Sequence, residues 1–134
     1  VKRNGDAELE AMIRKIRAIP GLARRAAPDV AEAVKAELEK TITAGTAPDG
    51  KPWQALKYGG GRPLTGAGKA LFVAAVGNRV VCHVRGHIAR HTLGRARGGI
   101  VRRVLPLKGV PPAIARAIKR ELAAHFIAHM QGGQ

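Results

Sequence analysis

Gly68-Lys69 is the step at which a phosphate-binding loop of the G-x-x-x-x-G-K-[ST] kind would place its lysine. The first glycine of that pattern would fall at position 63, which is Pro63, and the magnesium-binding hydroxyl at position 70, which is Ala70. Both departures remove required chemistry: close backbone approach to phosphate, and a metal ligand. His83, His87 and His91 recur every fourth residue and would share a face on a helix or on a straight strand. No carboxylate or second cysteine lies near them in sequence, and Arg85 and Arg90 raise the positive potential around them. His125 and His129 form a second such pair near the end of a helical segment, where they complement the helix dipole. Serine is absent, so a Ser-His-Asp triad is excluded. Asp49 and Glu121 offer no paired carboxylates for acid-base work. Cys82 is the single cysteine, which excludes an internal disulfide; within VVCHV it reads as a buried thiol, facing away from His83 on a strand. The residues therefore assign no catalytic, cofactor or metal site.

The charge pattern points elsewhere. The chain carries a net charge of +15, unevenly distributed. Residues 1–40 hold nine Lys/Arg against seven acids; residues 41–134 hold fifteen against two, with no acid between Asp49 and Glu121. Such a field repels itself in isolation and calls for a polyanion or for acidic neighbours in an assembly. Its densest part is Arg79, Arg85, Arg90, Arg95, Arg97, Arg102 and Arg103. No aromatic residue interrupts this band, so contact with phosphate backbone is expected rather than base stacking or sequence readout. Pairing of the same arginines with acids on neighbouring subunits is the equal alternative, and the two are compatible.

The elements that must position these residues read as an α+β domain. One domain over 1–134 is expected: a helical region 1–45, a flexible loop 46–63, a β region 64–110 and a C-terminal helix 111–130. Leu9, Met12, Ile13 and Ile16 give helical spacing over 6–19, with Asp6 as N-cap and Pro20-Gly21 as interruption. A second helix is predicted from Pro28 to Ala44, with Val30, Val34 and Leu38 on one face and Gly45 as C-terminal cap. Pro48-Asp49-Gly50 is a turn. LFVAAV and RVVCHVR, separated by Gly77-Asn78, predict a hairpin with strands over 71–76 and 79–85. Residues 86–99 read as an exposed loop or long hairpin arm, and IVRRVLPL as a further strand ended by Pro106. Ile114, Ile118, Leu122 and Phe126 form the stripe of the last helix. The fold class is thus N-terminal helices, a small antiparallel sheet with a long hairpin or loop, and a C-terminal helix. No apolar run approaches the roughly 20 residues of a membrane span. No signal-peptide pattern opens the sequence, so the expected compartment is the cytoplasm of the cell that makes it.

One segment carries a resemblance. PDGKPW, a short spacer, RPLTGAGKAL and then a hairpin resemble the phage virion morphogenesis family of tail-completion and neck proteins. The matching turn is Pro48, Asp49, Gly50, Pro52 and Trp53; the following step is Pro63, Leu64, Thr65 and Gly66, without the family's usual spacer between Leu and Thr. His91 and Gly94 keep a His-x-x-Gly spacing, and Arg103-Val104-Leu105-Pro106 stands where an Arg-Pro-rich strand leads into the final helix. The resemblance implies a non-enzymatic structural subunit at the head–tail junction of a tailed phage or related particle, assembled in the host cytoplasm. It implies a homo-oligomeric ring, six-fold or twelve-fold, around the DNA channel. Its partners would be the head connector or head-closure protein, the tail tube or tail terminator, and the DNA phosphate backbone. Trp53 would be a packing anchor and the arginine band the DNA-facing or partner-facing surface. Two other classes stand beside it: a free-standing basic DNA-binding protein contacting phosphate backbone, and a small enzyme such as a nuclease working through the histidines.

Overall fold

The computed structural model describes residues 10, 11, 13, 14, 19, 21–54, 56, 63, 64, 66–93, 100–106 and 109–131. Within these, helix α1 spans Leu22–Ala44, the one-turn helix α2 Ala67–Ala70, and strands β1 and β2 Leu71–Val76 and Arg79–Val84. Helix α3 spans Gly86–Leu93 and helix α4 Pro112–Gln131. The class is α+β. Residues 10, 11, 13 and 14 are helical; the rest of the helix expected over 6–19, with its Asp6 cap, lies outside the described residues.

Helix α1 starts a turn and a half earlier than Pro28 suggested. Gly21 takes a left-handed φ of 77° at its N-terminus, and Pro28 sits inside the helix. A proline there removes one helix hydrogen bond and costs about 3 kcal/mol. The extension is favourable because Leu22, Ala26 and Ala27 join Val30, Ala31, Val34 and Leu38 on one buried stripe. Pro28 itself lies on the solvent side. The C-terminus closes as expected: Gly45 has φ 73°, its N–H donates to the Ile42 carbonyl, and Thr46 N–H donates to the Thr41 carbonyl. That pair of bonds is the Schellman arrangement.

β1 and β2 form an antiparallel pair in which Val76 faces Arg79 across the two-residue turn Gly77-Asn78. Gly77 has φ 63°, which fits the first position of a type II′ turn. The register places Leu71, Val73, Val80, Cys82 and Val84 on one face, packed with the α1 stripe and with Ile114, Ile118 and Leu122 of α4. Cys82 is half-buried there, and burial raises its thiol pKa. His83 faces the other way, paired with Phe72. At the surface, His125 Nε2 of α4 lies 2.6 Å from Asp29 Oδ2 of α1; the ring donates to the carboxylate and ties the two helices together.

Two expectations are corrected. Residues 86–93 are a helix, not part of an exposed arm: Gly86 turns the chain out of β2 with φ 63°, and Ile88 and Thr92, four residues apart, bury one helical face. The segment 100–106 is not a strand, and the described sheet has two strands only. Its polar groups are claimed by α3 and by Trp53 instead of a neighbouring strand, as set out below. β2 also ends at Val84, one residue short of Arg85.

Replacing Pro28 with Ala restores the missing helix donor at an exposed site. Pro28→Ala is expected to raise stability to urea by about 1–3 kcal/mol; an unchanged or lower midpoint would contradict the strained-interior reading.

Candidate functional site

The Pro48 turn is a tightly bonded miniature hairpin. Gly50 N–H donates to the Ala47 carbonyl at 2.8 Å, Ala47 N–H to the Lys51 carbonyl at 2.8 Å, and Trp53 N–H to the Gly45 carbonyl at 2.9 Å. Asp49 Oδ1 accepts from Lys51 N–H, and Gly50 supplies the positive φ of 89°. Pro48 is buried, whereas Asp49, Gly50 and Pro52 are exposed. The turn delivers Trp53 to the interior at 8% exposure, against Ala67, Ile88 and Val104, with Leu64, Ala70 and Val84 around them.

Trp53 and its neighbour form a reciprocal clasp with the segment after α3. Trp53 Nε1–H donates to the Arg103 carbonyl at 2.9 Å, while Arg102 Nε–H donates to the Gln54 carbonyl at 2.8 Å. The same segment caps α3. Arg102 N–H donates to the His91 carbonyl, the Arg103 guanidinium to the Thr92 carbonyl at 3.0 Å, and Val104 N–H to Thr92 Oγ1 at 3.0 Å. The last carbonyls of a helix lack internal partners and carry partial negative charge, so a guanidinium there is favourable twice over.

This divides the arginine band. Arg102 is only 4% exposed, and Arg103 is half-buried with its guanidinium on α3. Burial of Arg102 and the bond from Arg103 to α3 leave both less available to a partner than the exposed members of the band. Arg79, Arg85 and Arg90 are exposed. Arg95 and Arg97 lie outside the described residues, as does Thr65. Pro63 and Leu64 are half-buried in a turn, where Leu64 takes a left-handed φ of 54° and Gly66 precedes α2. Gly68-Lys69 therefore sits in a four-residue helix that runs into a strand, the reverse of the strand–loop–helix order that cradles phosphate.

The histidines separate likewise. His83 stacks on Phe72 across the hairpin, with ring centroids 5.0 Å apart, and the Arg85 guanidinium lies 4.0 Å from the Phe72 centroid. His87 and His91 share a face of α3, edge to face at 6.3 Å. Among the described residues no group of three or more His, Cys, Asp or Glu is placed to hold a metal ion.

What the fold does assemble is a groove of about 630 Å³ where the outer face of the hairpin meets α2 and α3. Lys69, Arg85, His87, His91 and Arg102 line it together with Phe72, and no acid is among its described lining residues. His91 Nδ1 is buried without a hydrogen-bond partner among the described residues. Burial first, then the Arg102 charge and His87, lowers the His91 pKa. Sequence reasoning grouped the basic residues by proximity along the chain and so passed over Lys69. The Ile88/Thr92 spacing was the available signal for α3, and with it for His87 and His91 on one face.

The chain matches no protein-family model, no curated protein and no solved structure.

Two outcomes test the site's construction. Thr92→Val keeps the shape but leaves the buried Val104 N–H unpaired, and is expected to cost about 1–3 kcal/mol in urea denaturation; equal stability of the variant would remove Thr92 from the account. Because the folded chain resists protonation of His91, the unfolded chain takes up that proton at higher pH. His91's contribution to stability is therefore full above the ordinary histidine value of about 6.5 and is lost as pH falls below it. His91→Gln should flatten the fall of the urea midpoint between pH 7 and pH 5; an unaltered slope would contradict it.

Proposed function

We propose that this chain is a non-enzymatic, ring-forming structural subunit of the head–tail junction of a tailed phage or related particle, in the neck or tail-completion position. The observation that carries the reading is the reciprocal clasp. It bonds the Pro48–Trp53 turn to Arg102-Arg103, uniting in space the turn and the segment before the last helix on which the resemblance to the phage virion morphogenesis family rests. A framework of this kind serves to hold surfaces in place rather than to perform a reaction.

Two surfaces suit assembly. The outer face of the hairpin is open, with Val76 61% and Val81 45% exposed beside Ala74. Both hairpin strands have an outer edge that no described strand pairs, and unpaired edges favour strand addition by a neighbouring chain. Helix α1 presents Asp29, Glu32 and Glu39 alongside Arg24, Arg25 and Lys35, a mixed-sign surface fitted to a basic neighbour. In the ring so formed, Arg79, Arg85 and Arg90 would face the DNA channel or the adjoining head-connector and tail proteins.

The exposure of those three arginines also favours a second reading, a free-standing DNA-binding protein that contacts phosphate backbone. Assembly state separates the two. Light scattering and electron micrographs of the purified chain should give a closed ring of uniform mass, and Val81→Asp, an exposed change, should leave monomers with an unchanged melting temperature. A wild-type chain that stays monomeric at high concentration, and binds duplex DNA with a steep salt dependence, would replace the ring reading with the second.

A further inference from the structure

The groove beneath the hairpin is a built feature that assembly alone does not explain. Its basic side chains come from separate parts of the fold: Lys69 from α2, Arg85 from the residue after β2, His87 and His91 from α3, and Arg102 from the 100–106 segment. Strong like charge gathered in one concavity is unfavourable unless an anion occupies it, because concave, low-dielectric walls focus the field. No acid among the described lining residues offsets it. The walls are also firm. Arg102 is held by the Gln54 carbonyl and α3 by the bonds from residues 102–104, while Arg85 rests on Phe72.

We propose that this groove binds the phosphate groups of an oligoanion, with Lys69 and Arg85 as its ion-pairing partners and His91 as the group that takes up a proton when the anion enters. Lys69 and Arg85 are exposed at the rim and reach bound phosphate directly. His91 is faced by positive or ionisable groups from each packed element: His87 on its own helix, Arg102 from the following segment, and Lys69 and Arg85 on the same groove. Burial first, then the Arg102 charge and His87, disfavour the protonated ring when no anion is bound. An anion reverses the sign of the local field, so the ring binds a proton as the anion binds. By linkage, affinity must then rise as pH falls through the histidine range. The aromatic contribution is a single half-buried Phe72, too little for base readout, which makes phosphate the recognised group. The proposal concerns the isolated chain and stands whether or not rings form.

The test is calorimetric titration of the full chain with inorganic tripolyphosphate at low salt, beside a short single-stranded oligonucleotide. Tripolyphosphate is expected to bind, more tightly at pH 6 than at pH 7.5. Lys69→Gln with Arg85→Gln should weaken it by about tenfold or more. Arg116→Gln with Arg120→Gln removes the same charge from exposed positions on α4 and should change it far less. His91→Gln should reduce the pH dependence. Melting curves confirm that each variant is folded. An oligonucleotide that binds and is displaced by tripolyphosphate identifies nucleic-acid phosphate as the source; binding of tripolyphosphate alone identifies a free polyphosphate or nucleotide tail. Absence of tripolyphosphate binding, or equal loss in the groove and α4 variants, overturns the proposal.

Discussion

Three stretches far apart in the chain depend on one reciprocal contact. The indole of Trp53 donates to the backbone of Arg103, and the guanidinium of Arg102 donates back to the carbonyl of Gln54. Each bond satisfies a buried or half-buried polar group that would otherwise carry an unpaid desolvation cost of about 1–3 kcal/mol. The same backbone stretch then closes the end of α3 through Thr92 and Arg103. Releasing the clasp would free the turn, the segment before α4 and the α3 terminus together. It would also uncover the smaller of two hydrophobic clusters. That cluster is joined to the main core between α1, the hairpin and α4 through Ile42 and Val84, which pack against both.

The clasp also sorts the charge. A chain with +15 net charge and very few acids beyond residue 40 cannot neutralise its arginines with carboxylates. It directs Arg102 and Arg103 to backbone carbonyls, whose partial negative charge suits a guanidinium. Of the exposed cations, Lys69 and Arg85 lie where the outer hairpin face meets α2 and α3, and others, such as Arg116 and Arg120 on α4, lie elsewhere.

That sorting of charge is where sequence reading reached its limit. Helix α4, the C-terminal cap of α1, the Gly77-Asn78 hairpin and the Pro48-Asp49-Gly50 turn were legible, because each rests on local periodicity or on a glycine with positive φ. The start of α1 was not, since Pro28 reads as a first-turn residue, a signal that burial of Leu22, Ala26 and Ala27 overrides. Helix α3 was hidden by its single buried aliphatic, Ile88, and by a polar Thr92 in the other buried position. The 100–106 segment has the β-branched composition of a strand but gives its donors and acceptors to α3 and to the Trp53 indole. Arg102 and Arg103 look the same in sequence as Arg79 or Arg90; only tertiary contacts, from Arg102 to Gln54 and from Arg103 to Thr92 and Trp53, distinguish them. The groove was invisible for the same reason, as its lining comes from elements that adjoin only after folding.

The most direct measurement is native-state hydrogen exchange at the Trp53 indole N–H and the Val104 amide. If the clasp and the α3 cap are opened only with the whole fold, both protons exchange as slowly as the amides around Leu38 at the centre of α1. Exchange at the rate of the exposed Gly77-Asn78 turn, with α1 still protected, would show that the clasp opens on its own and that the basic groove has no rigid frame behind it.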